Sequence, residues 1–353
     1  MSRRYIMLLW AALFMIGLVA VACSDTGTET LVRRVSSPPG THPADTSPLQ
    51  PADSKKKKKK PADDDPASLN VPFRVSYVDE APRTDGDAVK GCELTKHDIG
   101  AAVAPVSFVD AETAYLERRY GRAAELFRCY AEQHPDVLWG HFMHGLSGWK
   151  EGDLAEAEAS FGRALWVDPD HLKSLQNLSR VLLERGRLEE ASDVLRVAVD
   201  VDPTSNVTHR LVGRVLYAQG TVDQAVDAYR HAIVLDDEDR WAMNNLALIF
   251  IEQERYDEAI PPLARAVTLG DDVPTFHNNL GIALEPVGHV SSAAEAYRSA
   301  LSVDPAYEKA SMNLARVEVV RERPTSQSFD LDAVAQRFTD ALLKWNVEAV
   351  VEP

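Results

Sequence analysis

Residues 138–171 read LWGHFMHGLSGWKEGDLAEAEASFGRALWVDPDH, and residues 274–307 read PTFHNNLGIALEPVGHVSSAAEAYRSALSVDPAY. Laid over each other, both have alanine at position 20, a large aromatic residue at 24, alanine at 27 and proline at 32. The same frame runs from residue 104 in steps of 34 with no insertion, giving blocks at 104, 138, 172, 206, 240 and 274 and a remnant from 308. Position 20 is alanine in all six blocks (Ala123, Ala157, Ala191, Ala225, Ala259, Ala293). Position 24 is always large (Phe127, Phe161, Leu195, Tyr229, Leu263, Tyr297), and position 27 is alanine except at Tyr130. A fixed period with small, large and chain-breaking residues at set offsets marks a repeat array.

Within each block, apolar residues three and four apart predict two amphipathic helices. Gly152, Gly186, Gly220 and Gly288 at position 15 allow the turn between them. The alanines at 20 and 27 share one helix face and let the paired helices approach closely. Proline at 32 (Pro135, Pro169, Pro203, Pro305) ends the second helix. Pro286 falls late in the first helix of block six and should shorten or kink it, whereas Pro261 and Pro262 sit near a helix start, where a missing donor costs little. Block one lacks the turn glycine and carries Ser107 at position 4.

On these positions the chain resembles the tetratricopeptide-repeat (TPR) family. The resemblance implies an all-α, right-handed superhelical solenoid of six 34-residue helical hairpins, with the first helices lining a concave face. Met312, Leu314 and Val317 suggest a further helix capping the stack over residues 104–323. In residues 324–353, Leu331, Val334, Phe338, Leu342 and Trp345 form one apolar stripe. That helix is expected to cover the exposed face of the last repeat; docking to a partner is the other use.

Working outward, residues 1–22 have the layout of an export signal: Arg3 and Arg4, an uncharged apolar run, then Ala20-Val21-Ala22 before Cys23. The ending resembles bacterial lipoprotein signals, which implies lipidation of Cys23 and an outer-membrane anchor facing the periplasm. Ala20 stands where that family prefers leucine, so cleavage to a soluble secreted form is the alternative. Residues 23–70, rich in proline and including Lys55 to Lys60, are too poor in apolar residues to fold and predict a disordered tether. Residues 71–103 suggest a small appendage, with one strand at VPFRVSYVDE. Of three cysteines, Cys23 is assigned to lipid, which leaves Cys92 and Cys129 either disulfide-paired or as two free thiols.

The 54 acidic against 38 basic side chains, a net charge of -16, argue against a nucleic-acid ligand. Nothing points to a cofactor, a metal or a small-molecule substrate. His141 and His144 are three apart, but His141 recurs in register as His209 and His277 at position 4, a packing position. Pairs such as Glu189-Glu190 lie at helix starts, where carboxylates suit the helix dipole. No phosphate loop or nucleophile elbow is present, and the segments flanking the repeats are too short for a catalytic domain. The expectation is a protein that is not an enzyme.

In the TPR family, positions 2, 5, 6, 9, 12 and 13 of the first helix face the groove. Position 6 carries Asn177, Asn245, Asn279 and Asn313; position 5 carries Gln176, Arg210, Asn244 and Asn278. Position 9 adds Arg180, Arg214 and Arg316, and position 2 adds Lys173 and Lys309. Amides both donate and accept, so a row of them suits an extended peptide backbone. The cations suggest an acidic or carboxylate-ended segment, and Trp139, Trp149 and Trp241 are candidate apolar anchors. The reading is therefore a non-catalytic protein-binding scaffold or assembly factor of the bacterial envelope, similar in plan to pilotin-type TPR lipoproteins. The alternative is an envelope spacer gripping cell wall or anionic lipid through Lys55 to Lys60.

Overall fold

Every 34-residue block becomes one helical hairpin. The computed structural model describes residues 106–319 and 329–351, with no side-chain detail beyond residue 345. The expected export signal, Cys23, the tether with its lysine run, the 71–103 appendage and Cys92 all lie outside the described residues. The hairpins are α1 (Phe108–Leu116) with α2 (Tyr120–Gln133), α3 (Leu138–Glu151) with α4 (Leu154–Val167), and α5 (Leu172–Glu184) with α6 (Leu188–Val201). They continue as α7 (Asn206–Ala218) with α8 (Val222–Leu235), α9 (Arg240–Glu252) with α10 (Tyr256–Leu269), and α11 (Pro274–Leu284) with α12 (Val290–Val303). The capping helix α13 (Glu308–Glu318) and the terminal helix α14 (Leu331–Val351) complete the described residues, among which there is no strand. No described helix is long and apolar enough to cross a membrane.

The position-20 alanines are all fully buried, and so are the large residues at position 24. What the period left unexplained is how the two helices accommodate that large residue. At position 8, opposite it, stand Gly145, Gly213 and Gly281 in the even repeats. A methyl group on Gly145 or Gly213 would lie 2.8 Å from the ring of Phe161 or Tyr229, and Tyr297 crowds Gly281 more tightly still. Where position 24 is the smaller Leu195 or Leu263, position 8 is Ser179 or Ala247. In repeats two to six, volume lost on one helix is thus matched by volume gained on its partner, as close packing demands.

The turn at position 15 is left-handed in every repeat. Gly152, Gly186, Gly220 and Gly288 adopt φ of 92°, 72°, 79° and 89°, and the two repeats without glycine force Arg118 (61°) and Glu254 (58°) into the same region. Pro286 shortens its helix as expected: α11 ends at Leu284, leaving 11 residues against 13 in α9. α10 runs unbroken through Pro261 and Pro262.

Histidine at position 4 has a structural use. His141, His209 and His277 each donate from Nε2 to the backbone carbonyl six residues earlier (Pro135, Pro203 and Asp271, at 2.8, 2.9 and 3.2 Å). Those carbonyls belong to position 32 of the preceding repeat, so each histidine pins a first helix to the turn before it. Burial holds His141 and His277 below the usual imidazole range despite the opposing pull of this bond, so the neutral ring is favoured, with Nε2 carrying the proton that the bond needs.

Successive first helices from α3 to α13 touch one another, while the second helices have no comparable neighbour contact. The wall with the shorter spacing is the inner one, so the first helices line the concave side. The second helices form the outer wall, and α14 lies there. Its stripe is buried as expected at Val334, Phe338 and Leu342. Its seat differs from expectation: α14 packs along α10 and reaches α8, rather than covering the last repeat. At its start Phe329 meets the His289 ring at 5.3 Å, and near its end Trp345 receives the Arg230 guanidinium at 5.3 Å. The apolar surface that it meets there includes Ile260, Pro261 and Pro262, which line a cleft of about 860 Å³ with Phe329, Phe338 and Trp345.

Candidate docking groove

Side chains on the inner wall bond from one repeat to the next in two rows. In the row at positions 5 and 6, Asn279 Nδ2 donates to Asn244 Oδ1 (2.8 Å), and Asn313 Nδ2 donates to Asn278 Oδ1 (3.0 Å). In the row at positions 12 and 13, Trp149 Nε1 donates to Glu184 (3.1 Å), and the Tyr217 hydroxyl donates to Glu252. Each of these links spans 35 residues, one repeat plus one position. The extra residue reflects the rotation between adjacent first helices, which brings position 5 of one beside position 6 of the next.

The central repeats use other chemistry in the first row. Gln176 Nε2 donates to Thr208 Oγ1 (3.0 Å) and Ser205 Oγ (3.1 Å). Arg210 Nη1 meets Asp239 Oδ1 at 2.8 Å, with the two side chains only 3% and 2% exposed. Asp239 also caps α9 by accepting from the Ala242 amide, and it accepts from Asn206 Nδ2. Arg210 is therefore committed to the fold, which corrects its reading as a cation offered to a ligand.

The remaining predicted residues divide in the same way. Asn177 donates to its own helix at Lys173 O (2.8 Å) and accepts from Arg180 Nη1 (2.9 Å), and both side chains are buried. Arg316 is paired with Glu285 and donates to Asn313 Oδ1 (3.2 Å). Arg214 is half-buried on α7; Lys173 and Lys309 are exposed, the former 5.9 Å above the Trp139 ring. Of the three tryptophans, Trp139 is 47% exposed, while Trp149 and Trp241 are buried. A continuous basic stripe is thus not presented, because Arg210 and Arg316 already have acidic partners.

Asn245 is the exception among the position-6 amides. It is 5% exposed, yet it has no hydrogen-bond partner among the described residues. The cause lies one repeat earlier: the position-5 residue that would receive its Nδ2 is Arg210, which Asp239 has taken. Asn279 and Asn313, by contrast, each still have one Nδ2 hydrogen beyond the ladder bond.

Sequence reasoning passed over the groove carboxylates. Glu184 and Glu252 at position 13 each accept from a neutral indole or phenol and make no ion pair among the described residues. Burial holds the Glu252 carboxyl above its ordinary range. Their recurrence at one register in repeats three and five was the available signal. A second unpredicted cluster joins Ser160 Oγ to His144 Nδ1 (2.9 Å) and His144 Nε2 to Glu156 (2.8 Å). The order is that of a hydrolase triad, but Ser160 is 0% and His144 2% exposed, so the hydroxyl faces no substrate. No group of three metal-type ligands converges among the described residues. Cys129, 2% exposed in α2, is disulfide-bonded, and both other cysteines lie outside the described residues.

Residues 79–337 match the family model described as the Cilia and flagella-associated protein 70 C-terminal domain, a TPR family. The chain belongs to that family. No curated protein matches it. Among solved structures, it is similar to a chain of the APC/C hetero-tetramer Cut9-Hcn1, with TM-score 0.52 and 16% identity over 59% of this chain and 41% of that one. A tetratricopeptide repeat protein from Parabacteroides merdae matches with TM-score 0.51 and 12% identity, over 59% and 81% of the two chains. The Pseudomonas aeruginosa pilF protein matches with TM-score 0.47 and 17% identity, over 59% and 91%. At these identities the likeness is one of fold. The fold is that of a general protein–protein interaction scaffold, of a kind that is generally non-catalytic.

Proposed function

We propose that this chain is a non-catalytic scaffold that holds an extended segment or helix of a partner protein against its first-helix wall. The observation that carries the reading is Asn245, an almost buried amide without a partner at the centre of that wall. Its polar atoms are not sealed from solvent, so the amide can donate to and accept from a bound backbone without breaking a bond within the fold. Asn279 and Asn313 offer further donors along the same row, and Trp139 offers an apolar anchor at the rim. Catalysis has no support from the one triad-like cluster, whose serine is sealed in the core.

The same proposal places the scaffold in an exported, membrane-tethered setting. Support comes from the signal-like residues 1–22 ahead of Cys23 and from the disulfide at Cys129, a bond that persists in oxidising compartments. Tethering would raise the local concentration of the groove at the membrane surface. Capture of a crosslinked partner from membranes by the full chain tests the binding half. Asn245→Ala with Asn279→Ala should abolish capture while leaving the helical circular-dichroism signal intact, and unchanged capture would remove the groove from the account. A lipid mass shift on Cys23, absent after Cys23→Ser, tests the anchor.

A further inference from the structure

The groove reading above leaves the chemistry of the ligand open, and the inner wall supplies it. Where cations line this wall, the best placed are already matched: Arg210 by Asp239, and Arg316 by Glu285. Two carboxylates are not. Glu184 and Glu252 stand at the same register, each receiving a neutral hydrogen bond from the preceding first helix, Trp149 to Glu184 and Tyr217 to Glu252. A neutral donor orients a carboxylate without cancelling its charge.

Glu252 is the more isolated of the two. Four residues before Glu184 on α5 stands Arg180, whereas four residues before Glu252 on α9 stands Leu248. Two turns before Glu252 on the same face is Asn245, the amide that lacks a partner. α9 therefore presents an unbonded amide and an unneutralised carboxylate seven residues apart, about 10 Å along the helix axis. That separation matches about three residues of extended chain.

We propose, building on the groove reading, that this wall takes an extended segment carrying lysine or arginine, with the cation paired to Glu252 and the segment's backbone held by Asn245. Glu184 repeats the carboxylate two modules away along the groove, so a segment with a second cation farther along would gain a second contact. The selectivity is opposite to that suggested by the count of groove cations in the sequence, because folding pairs Arg210 and Arg316 with internal acids.

The test uses three blocked nonapeptides of alternating alanine and a variable residue, which is lysine, serine or glutamate. Each carries a fluorophore, and binding to the full chain is followed by anisotropy at low ionic strength. The lysine peptide should bind best, and Glu252→Gln should weaken it about tenfold, the size of one lost charge-assisted contact. Glu189→Gln, on an exposed acid of α6 outside the groove, should leave it unchanged and so separates the site from the general acidity of the chain. Asn245→Ala should weaken all three peptides alike, since it acts on backbone. Preference for the glutamate peptide, or equal losses from Glu252→Gln and Glu189→Gln, would overturn the cation proposal while an Asn245→Ala effect kept the groove reading. Insensitivity to Asn245→Ala as well would remove both. Circular dichroism of each variant confirms that the helices are retained.

Discussion

The inner wall is tied together by two different kinds of bond. In the middle, between α7 and α9, the link is an ion pair sealed from solvent, Arg210 with Asp239. Toward the C-terminal end, from α9 through α11 to α13, it is a ladder of neutral amides, Asn279 to Asn244 and Asn313 to Asn278. The same registers thus serve two chemistries, and the seam between them falls at Asn245. An amide ladder keeps spare donors and costs little to desolvate, whereas a buried charge pair is rigid and intolerant of losing one member. The lesson is that a recurring polar residue on a repeat wall has to be sorted by what its neighbour one repeat away has left free.

The largest effect should come from breaking the charged link. Arg210→Ala leaves Asp239 buried with only amide donors, and should cost about 3–5 kcal/mol, visible as a lowered urea midpoint. If the loss were no larger than that from an asparagine substitution, the contrast between the two halves would disappear. Asn279→Ala should cost about 1 kcal/mol, and adding Asn244→Ala should cost little more, since both remove one bond. Additive losses in that cycle would mean that the two amides act separately.

Smaller effects test the turns and pins that hold the two halves in register. Glu254→Gly relieves a left-handed residue at the turn after α9, and should stabilise the array by about 1 kcal/mol; the same change at Arg118 should act likewise. A fall in midpoint for either variant would show that the side chain contributes more than the backbone strain removes. The histidine pins should give the mildest signal. His141 and His277 have depressed values in the folded chain, so the unfolded chain binds more protons once pH drops through the ordinary imidazole range. Stability should fall between about pH 7.5 and pH 5.5, and His141→Gln with His277→Gln should flatten that slope.

Much of this fold is legible in the sequence, because a 34-residue period fixes helix pairs, turns and stacking order through local rules. Position 15 shows how far this reaches: even Arg118 and Glu254 follow the glycine conformation that the register demands. The seat of α14 was not legible, since its stripe names an apolar face but not which of several second helices has surface to spare. The groove was half legible. Register picked out the asparagines, but whether each was free depended on residues 35 positions away, and Arg210 read as an available cation until Asp239 was placed beside it. The glutamates at 184 and 252 went unnoticed because an acidic residue in an acidic chain carries little signal alone.

The most direct measurement places a photoreactive benzoylphenylalanine at Leu248, on the proposed groove, and separately at Asp227, on the exposed face of α8. Illumination of the full chain in its native membranes should give a discrete partner adduct from position 248 and none from 227. Adducts from 227 alone, or equal yields from both, would contradict a docking surface on the first-helix wall.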